Sequence, residues 1–149
     1  MKNLQEFIKN NSIDVEYLVF EKSCHSVQEA AEAANASLKD FVKSICMVSE
    51  NRPIIAIVRG EDRASTSRVE KALNIERPEL ATPEQILELT GYPCGGTPPF
   101  GFDATFLIDE KVMEMELIYA GGGTENSLIR INPDELKRVN NGIVARVRK

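Results

Sequence analysis

Apolar positions along the chain change period repeatedly, and the changes mark out short elements of both kinds. Leu4, Phe7 and Ile8 have helical spacing, with Asn10-Asn11-Ser12 as the stop, and Val15 to Phe20 alternates as a strand. Ser26 followed by Glu29 has the form of a capping box and predicts a helix over Val27–Asn35. Phe41–Val48 and Ile54–Val58 are apolar and rich in β-branched residues. They bracket Glu50-Asn51-Arg52-Pro53, which reads as a hairpin connection. A polar stretch, Arg59–Ser67, leads to a helix near Arg68–Leu73. Thr82-Pro83-Glu84 then puts a capping residue before a proline at the first helical position, predicting a helix to about Thr90. Strands are expected at Ala104–Ile108, Met115–Tyr119 and Leu128–Ile131, then a helix capped by Asn132 or Pro133, and a closing strand over Ile143–Val147.

Helices and strands mix without a regular βαβ rhythm, which argues against a doubly wound parallel sheet. The expected fold class is α/β in the α+β sense: a curled, mixed, mostly antiparallel sheet packed with several helices. With 149 residues and no repeat, linker or low-complexity tract, residues 1–149 read as one domain.

Composition narrows the setting. Hydrophobic residues at 42% and charged residues at 28% are ordinary for a globular protein. No apolar run approaches the roughly 20 residues of a membrane span. The opening Met1-Lys2-Asn3-Leu4-Gln5-Glu6 lacks the apolar core of a signal peptide. Cys24, Cys46 and Cys94 are far apart and form no C-x-x-C, so the expected compartment is the reducing cytoplasm. The net charge of −5 disfavours a grip on a long stretch of DNA or RNA backbone, yet leaves room for holding one end of an RNA. From Ser127 to Lys149, six basic residues stand against two acidic ones, a net of +4. That tail is either a solvated face or an RNA contact.

Several chemistries are excluded. His25 is the only histidine, so a two-histidine metal site is impossible, and no paired Cys/His spacing, Walker loop or G-x-S-x-G elbow occurs. His25 itself, at the mouth of a helix, reads first as a loop or capping residue and second as a base.

Three features invite a functional reading. Lys43 stands within Phe41-Val42-Lys43-Ser44-Ile45-Cys46-Met47-Val48, where alternation puts it on the face of Phe41, Ile45 and Met47. It either snorkels to water or holds a cation against an apolar wall, ready for a phosphate or carboxylate. The segment Gly91–Gly101 contains four glycines, three prolines and one cysteine. Such a loop is either a plain turn or a rigid bed of backbone amides aimed at an oxyanion. Gly121-Gly122-Gly123, just after a strand, is a similar candidate nest.

Taken in order, Ala30-Ala31 in a helix, Lys43 on a strand, Gly-Tyr-x-x-Gly-Gly-x-x-Pro-Phe-Gly, Asp109 and Tyr-x-Gly-Gly-Gly resemble the YbaK, or prolyl-tRNA-synthetase-associated, family of aminoacyl-tRNA editing domains. The likeness runs from about Val15 to Val147. It implies a deacylase that hydrolyses the ester of mischarged tRNA in trans, with small amino acids on tRNA-Pro-type substrates expected. Lys43 matches the family's essential lysine. With Gly95 and Gly96 it forms the implied catalytic set. Tyr92, Cys94, Thr97, Pro98, Pro99 and Phe100, with Gly121, Gly122 and Gly123, are the implied substrate-binding residues. Attack would come from water, helped by the terminal ribose hydroxyl, or from a thiol on the substrate itself, with no metal and no cofactor. Cys94 is expected to line the pocket rather than act as nucleophile, having no acid–base partner nearby in sequence. Phe102-Asp103 departs from the relatives that carry a histidine or other polar residue there, which implies a changed amino-acid preference.

The expected partners are the acceptor end of aminoacyl-tRNA and a synthetase, with no membrane and no DNA. Two other readings stay open on the sequence: a non-catalytic module binding tRNA or protein with the same fold, and a hydrolase of small-molecule esters or thioesters.

Overall fold

The chain runs α1 (Leu4–Asn10), β1 (Glu16–Val19), α2 (Val27–Ala34), β2 (Val42–Ser49), β3 (Arg52–Arg59), α3 (Thr66–Leu73), β4 (Glu79–Leu80), α4 (Pro83–Thr90), β5 (Thr105–Asp109), β6 (Ile118–Gly121), β7 (Ser127–Ile131), α5 (Pro133–Asn140) and β8 (Ile143–Ala145). The computed structural model describes residues 3–149. Met1 and Lys2, the start of the stretch read for a signal peptide, lie outside the described residues.

Local chemistry sets most of these ends. Ser26 Oγ accepts the Glu29 N–H at 3.1 Å and starts α2. Thr82 and Gln85 form a complete capping box at α4, with bonds of 2.9 and 3.2 Å. Asn132 caps α5 through the Asp134 N–H at 2.8 Å, leaving Pro133 at the first helical position. The expected four-residue hairpin connection shrinks to Glu50-Asn51, both at positive φ (51° and 61°). This is the two-residue turn whose twist matches the flanking strands, and Arg52 and Pro53 join β3.

Two expectations shift. The alternating Met115–Tyr119 is a strand only from Ile118. Residues Val112–Glu114 before it wind into a short 3-10 turn, and the Met115 N–H donates to Val112 O at 3.1 Å. Strand β4 was not expected: two exposed residues carry no period. It exists because β2 pairs with it, and the Ala81 N–H donates to Cys46 O at 3.0 Å.

The mixed, mostly antiparallel sheet is divided in two. One sheet has the order β4-β2-β3-β5-β8, antiparallel at β2 and parallel from β3 to β5 to β8. The other, β1-β7-β6, is wholly antiparallel. They meet where Phe41 bridges Tyr119, the two rings stacked with centroids 4.8 Å apart. Strand β3 is buried on both faces, hence its unbroken run Ile54–Val58. Ile55 and Ile57 pack with Phe106, Ile108 and Ile118, whereas Ile54, Ala56 and Val58 pack with Met47, Val69 and Val147. Among the described residues no helix is long and apolar enough to cross a membrane.

The C-terminal segment is held by a buried carboxylate. Asp109 is 0% exposed. It accepts the N–H groups of Val147 (2.9 Å), Arg148 (3.1 Å) and Lys111 (3.0 Å), and pairs with the Arg148 guanidinium at 3.1 Å. Arg148 is therefore a structural counter-ion and not one of the tail's free charges. Removing one partner of such a pair strands a buried charge. Arg148→Ala should lower the urea midpoint of unfolding well beyond the effect of Arg146→Ala on the same tail. A shift no larger than that of Arg146→Ala, an ordinary surface substitution, would refute the role.

Candidate functional site

A cavity of about 460 Å³ opens at the seam between the two sheets, within the roughly 300–1,000 Å³ usual for small-ligand sites. Its floor is the start of β2 (Val42, Lys43, Ser44, Ile45, Cys46). One wall is the entry to α2, with Cys24, His25 and Val27. The facing wall is Cys94, Gly95 and Thr97, backed by Ala120, Gly121 and Leu128, and Ala81 and Ile86 close one end. The lining is mainly apolar, and among the described residues Lys43 is its only lysine or arginine.

The edge of β2 is what brings Lys43 here. Strand β4 pairs only with Met47 and Val48, so among the described residues the edge from Val42 to Ile45 has no paired strand on that side, and it borders the cavity. Lys43 does share its row with Ile45 and Met47. Phe41, just before the strand, lines the same cavity and stacks on Tyr119. Burial first, then the nearby Arg63 guanidinium, push the Lys43 ammonium below the ordinary lysine range, and Asp62 partly offsets them. Holding a cation there is a cost to the fold.

The two glycine-rich segments, about 25 residues apart in sequence, interlock in space. The Gly96 carbonyl accepts the Gly123 N–H at 2.7 Å. A Cβ on Gly96 would meet Thr124 O at 2.6 Å, and one on Gly121 would meet Thr97 O at 2.6 Å. Several amides are committed inside this knot: Gly96 N–H to Pro93 O (3.1 Å), Gly122 N–H to Ser127 O (3.1 Å) and Thr124 N–H to Ser127 Oγ (3.2 Å). Gly95 and Thr97 line the cavity, and neither backbone N–H has a partner among the described residues. The Thr97 hydroxyl is turned away, donating to Pro93 O at 2.9 Å.

The structure therefore divides the expected site residues. Lys43, Cys94, Gly95, Thr97 and Gly121 line the cavity; Gly96 and Gly123 join the two loops, and Gly122 bonds within the β6–β7 connection to Ser127 O. Tyr92 and Phe100 lie in the core, at 1% and 0% exposure, with Pro98 and Pro99 also buried. Thr90 anchors that end of the loop, its hydroxyl donating to Ile86 O at 2.7 Å and accepting the Tyr92 N–H at 3.0 Å. Phe102 packs between the rings of Tyr92 and Phe106 and, with Asp103, stays off the cavity, so their departure from the family pattern does not reach its lining.

Residues that sequence reasoning left out also arrive here. His25 precedes the α2 cap rather than forming it, and its ring covers Gly95: a Cβ built there would lie 2.4 Å from Nδ1. All three cysteines line the cavity. Burial, with added repulsion from Cys94, pushes the Cys46 thiol up to about 11; burial and then Glu29 raise Cys24. Both are thiols near neutral pH and poor nucleophiles. Among the described residues no three His, Cys, Asp or Glu side chains form a group able to hold a metal ion.

The family model of the aminoacyl-tRNA editing domain matches residues 21–139. The protein YwhH of Bacillus subtilis is 29% identical over 119 residues, covering 78% of this chain and 76% of that protein. A proline–tRNA ligase of Oleidesulfovibrio alaskensis is 28% identical over 101 residues, 68% of this chain but only 18% of the ligase. A crystal structure described as that of a candidate trans-editing enzyme for prolyl tRNA synthetase superposes with TM-score 0.88 at 28% identity, covering 98% of this chain and 94% of that one. A hypothetical protein of known crystal structure superposes with TM-score 0.90 at 26% identity, covering 99% of this chain and 100% of the other.

Proposed function

Because the chain belongs to the aminoacyl-tRNA editing domain family, we propose that it is a deacylase that hydrolyses the ester of mischarged tRNA. The carrying observation is the cavity itself: among the described residues its mainly apolar lining carries one lysine, Lys43, and two backbone N–H groups without a partner, those of Gly95 and Thr97.

The chemistry asked of these residues is modest, because an aminoacyl ester is already activated. Lys43 takes a phosphate of the acceptor end and sets the ester against the loop. The Gly95 and Thr97 amides receive the oxyanion that forms as water adds to the carbonyl carbon. The ester C–O bond then breaks, the ribose oxygen takes a proton, and the amino acid leaves as its carboxylic acid. Cys94, on the cavity lining, shapes the chamber. A small amino acid on tRNA-Pro is the substrate we propose, and the likeness to a proline–tRNA ligase supports tRNA-Pro as the carrier and a synthetase as the partner. The setting we propose is the cytoplasm.

The test is a panel of tRNAs, each charged with a correct or an incorrect amino acid, with release of the amino acid followed over time. A small amino acid on tRNA-Pro should be released fastest, and correctly charged tRNAs should be spared. Release from small esters alone would assign the cavity to a small-molecule hydrolase. Tight tRNA binding without release would make the protein a non-catalytic module.

A further inference from the structure

The loop after β3 carries a second cation toward the same site. Gly60 N–H donates to Phe41 O at 2.8 Å, and a Cβ on Gly60 would touch Val27 Cγ1 at 3.1 Å; Phe41 and Val27 both line the cavity. The loop is fastened at its far end as well. Lys149 N–H donates to Arg63 O at 2.8 Å, Ala64 bridges Arg148, and Ser65 N–H donates to Val147 O at 2.8 Å. Arg63 is thus fixed by its backbone on both sides, while its side chain is exposed.

Charge around it is uneven. Asp62 is taken by Arg59, through bonds of 2.7 and 3.3 Å, and Glu61 lies 3.6 Å from the same guanidinium. The Arg63 side chain has no ion pair or hydrogen bond among the described residues. It is close enough to Lys43 to oppose its charge. Two like charges held together by fixed backbone, in a protein of net charge −5, are relieved by an anion bridging them.

We propose that Arg63 binds a backbone phosphate of the RNA acceptor end, next to the one taken by Lys43, and so sets how that end enters the cavity. This rests on the reading of the cavity as an aminoacyl-ester site. It assigns the RNA contact to the loop after β3 and leaves Arg148 to its structural pairing with Asp109.

The test uses an uncharged RNA minihelix with a single-stranded 3′ end, its affinity measured by fluorescence anisotropy across a salt series. Each phosphate neutralised contributes about 0.7 to the slope of log affinity against log salt for single strands, and about 0.9 for a duplex. Arg63→Gln should lower the magnitude of the slope by that amount and weaken binding, whereas Arg63→Lys should keep the slope. An unchanged slope in Arg63→Gln, an equal loss in Arg63→Lys, or no binding by the wild-type protein would each overturn the proposal. Deacylation by the wild-type protein is scored separately. Turnover with an unchanged slope would sink only the Arg63 contact. A slope that depends on Arg63 without turnover on any charged tRNA would sink only the editing reaction.

Discussion

Lys43→Ala is expected to lower deacylation of mischarged tRNA on the order of 100-fold or more, with no loss of thermal stability. The two halves of this result have one cause. Burial and Arg63 both disfavour the Lys43 ammonium, so the folded protein gains nothing by holding it. The folded-state value lies below the unfolded one. The charge therefore weakens the fold wherever it is present, and the cost fades as rising pH removes the proton in both states. Removing the side chain should leave the melting temperature unchanged or raise it. Activity should move the other way, because in the proposed mechanism it is the Lys43 ammonium, on the cavity lining at the edge of β2, that orients the phosphate. Lys43→Arg should keep only part of the activity, since a planar fork does not replace a compact ammonium. The depressed proton affinity adds a pH signature. Enzymatic turnover, corrected for spontaneous ester hydrolysis, should decline on the alkaline side at a lower pH than for an ordinary lysine. Full turnover by Lys43→Ala would remove Lys43 from the mechanism, and a borohydride-trapped adduct on Lys43 would replace anchoring by imine chemistry.

The elements that sequence reading locates well are those whose cause is local. The Ser26, Thr82 and Asn132 caps, the Glu50-Asn51 turn and the doubly buried β3 each follow from a few adjacent residues. What period cannot show is which distant segments meet. Gly96 and Gly123 join through a bond that depends on the β6–β7 hairpin reaching the loop after α4. Cys24, Cys46 and Cys94 look unrelated along the chain because the seam that gathers them exists only once two sheets have formed. The basic tail misleads for the same reason: Arg148 is as charged as Arg146 in sequence, but only Arg148 faces a buried carboxylate. Tyr92 and Phe100 sit in a loop that reads as a binding segment, yet they are its anchors in the core. Lys43 was legible as a residue out of keeping with its strand. Its reason for being there, an edge that β4 leaves uncovered, was not.

The loop that faces Lys43 should prove equally sensitive at a residue that does not touch the cavity. Gly96→Ala is expected to reduce turnover on the order of 100-fold, the cost of misplacing one oxyanion donor. The added methyl has nowhere to go. It would lie 2.6 Å from Thr124 O and 2.9 Å from Thr124 C, both backbone atoms, so the two glycine segments must separate. Separation lengthens the 2.7 Å bond from Gly123 N–H to Gly96 O, which sets the height of the loop against β6 and β7. Gly95 and Thr97 flank Gly96, and their amides would shift with it. Such overpacking costs about 1–3 kcal/mol, so the variant should stay folded but melt lower. Activity is therefore read well below its melting temperature, with circular dichroism confirming the fold. Gly95→Ala supplies the contrast. Its methyl meets the exposed His25 ring, which can swing away, leaving a tight 3.0 Å contact with the His25 carbonyl oxygen and the strain of an alanine at φ +85°. Combined with His25→Ala it should lose less activity than Gly96→Ala. Near wild-type turnover in a folded Gly96→Ala protein would move the oxyanion donors off this loop, with Gly121, on the facing strand, next in line.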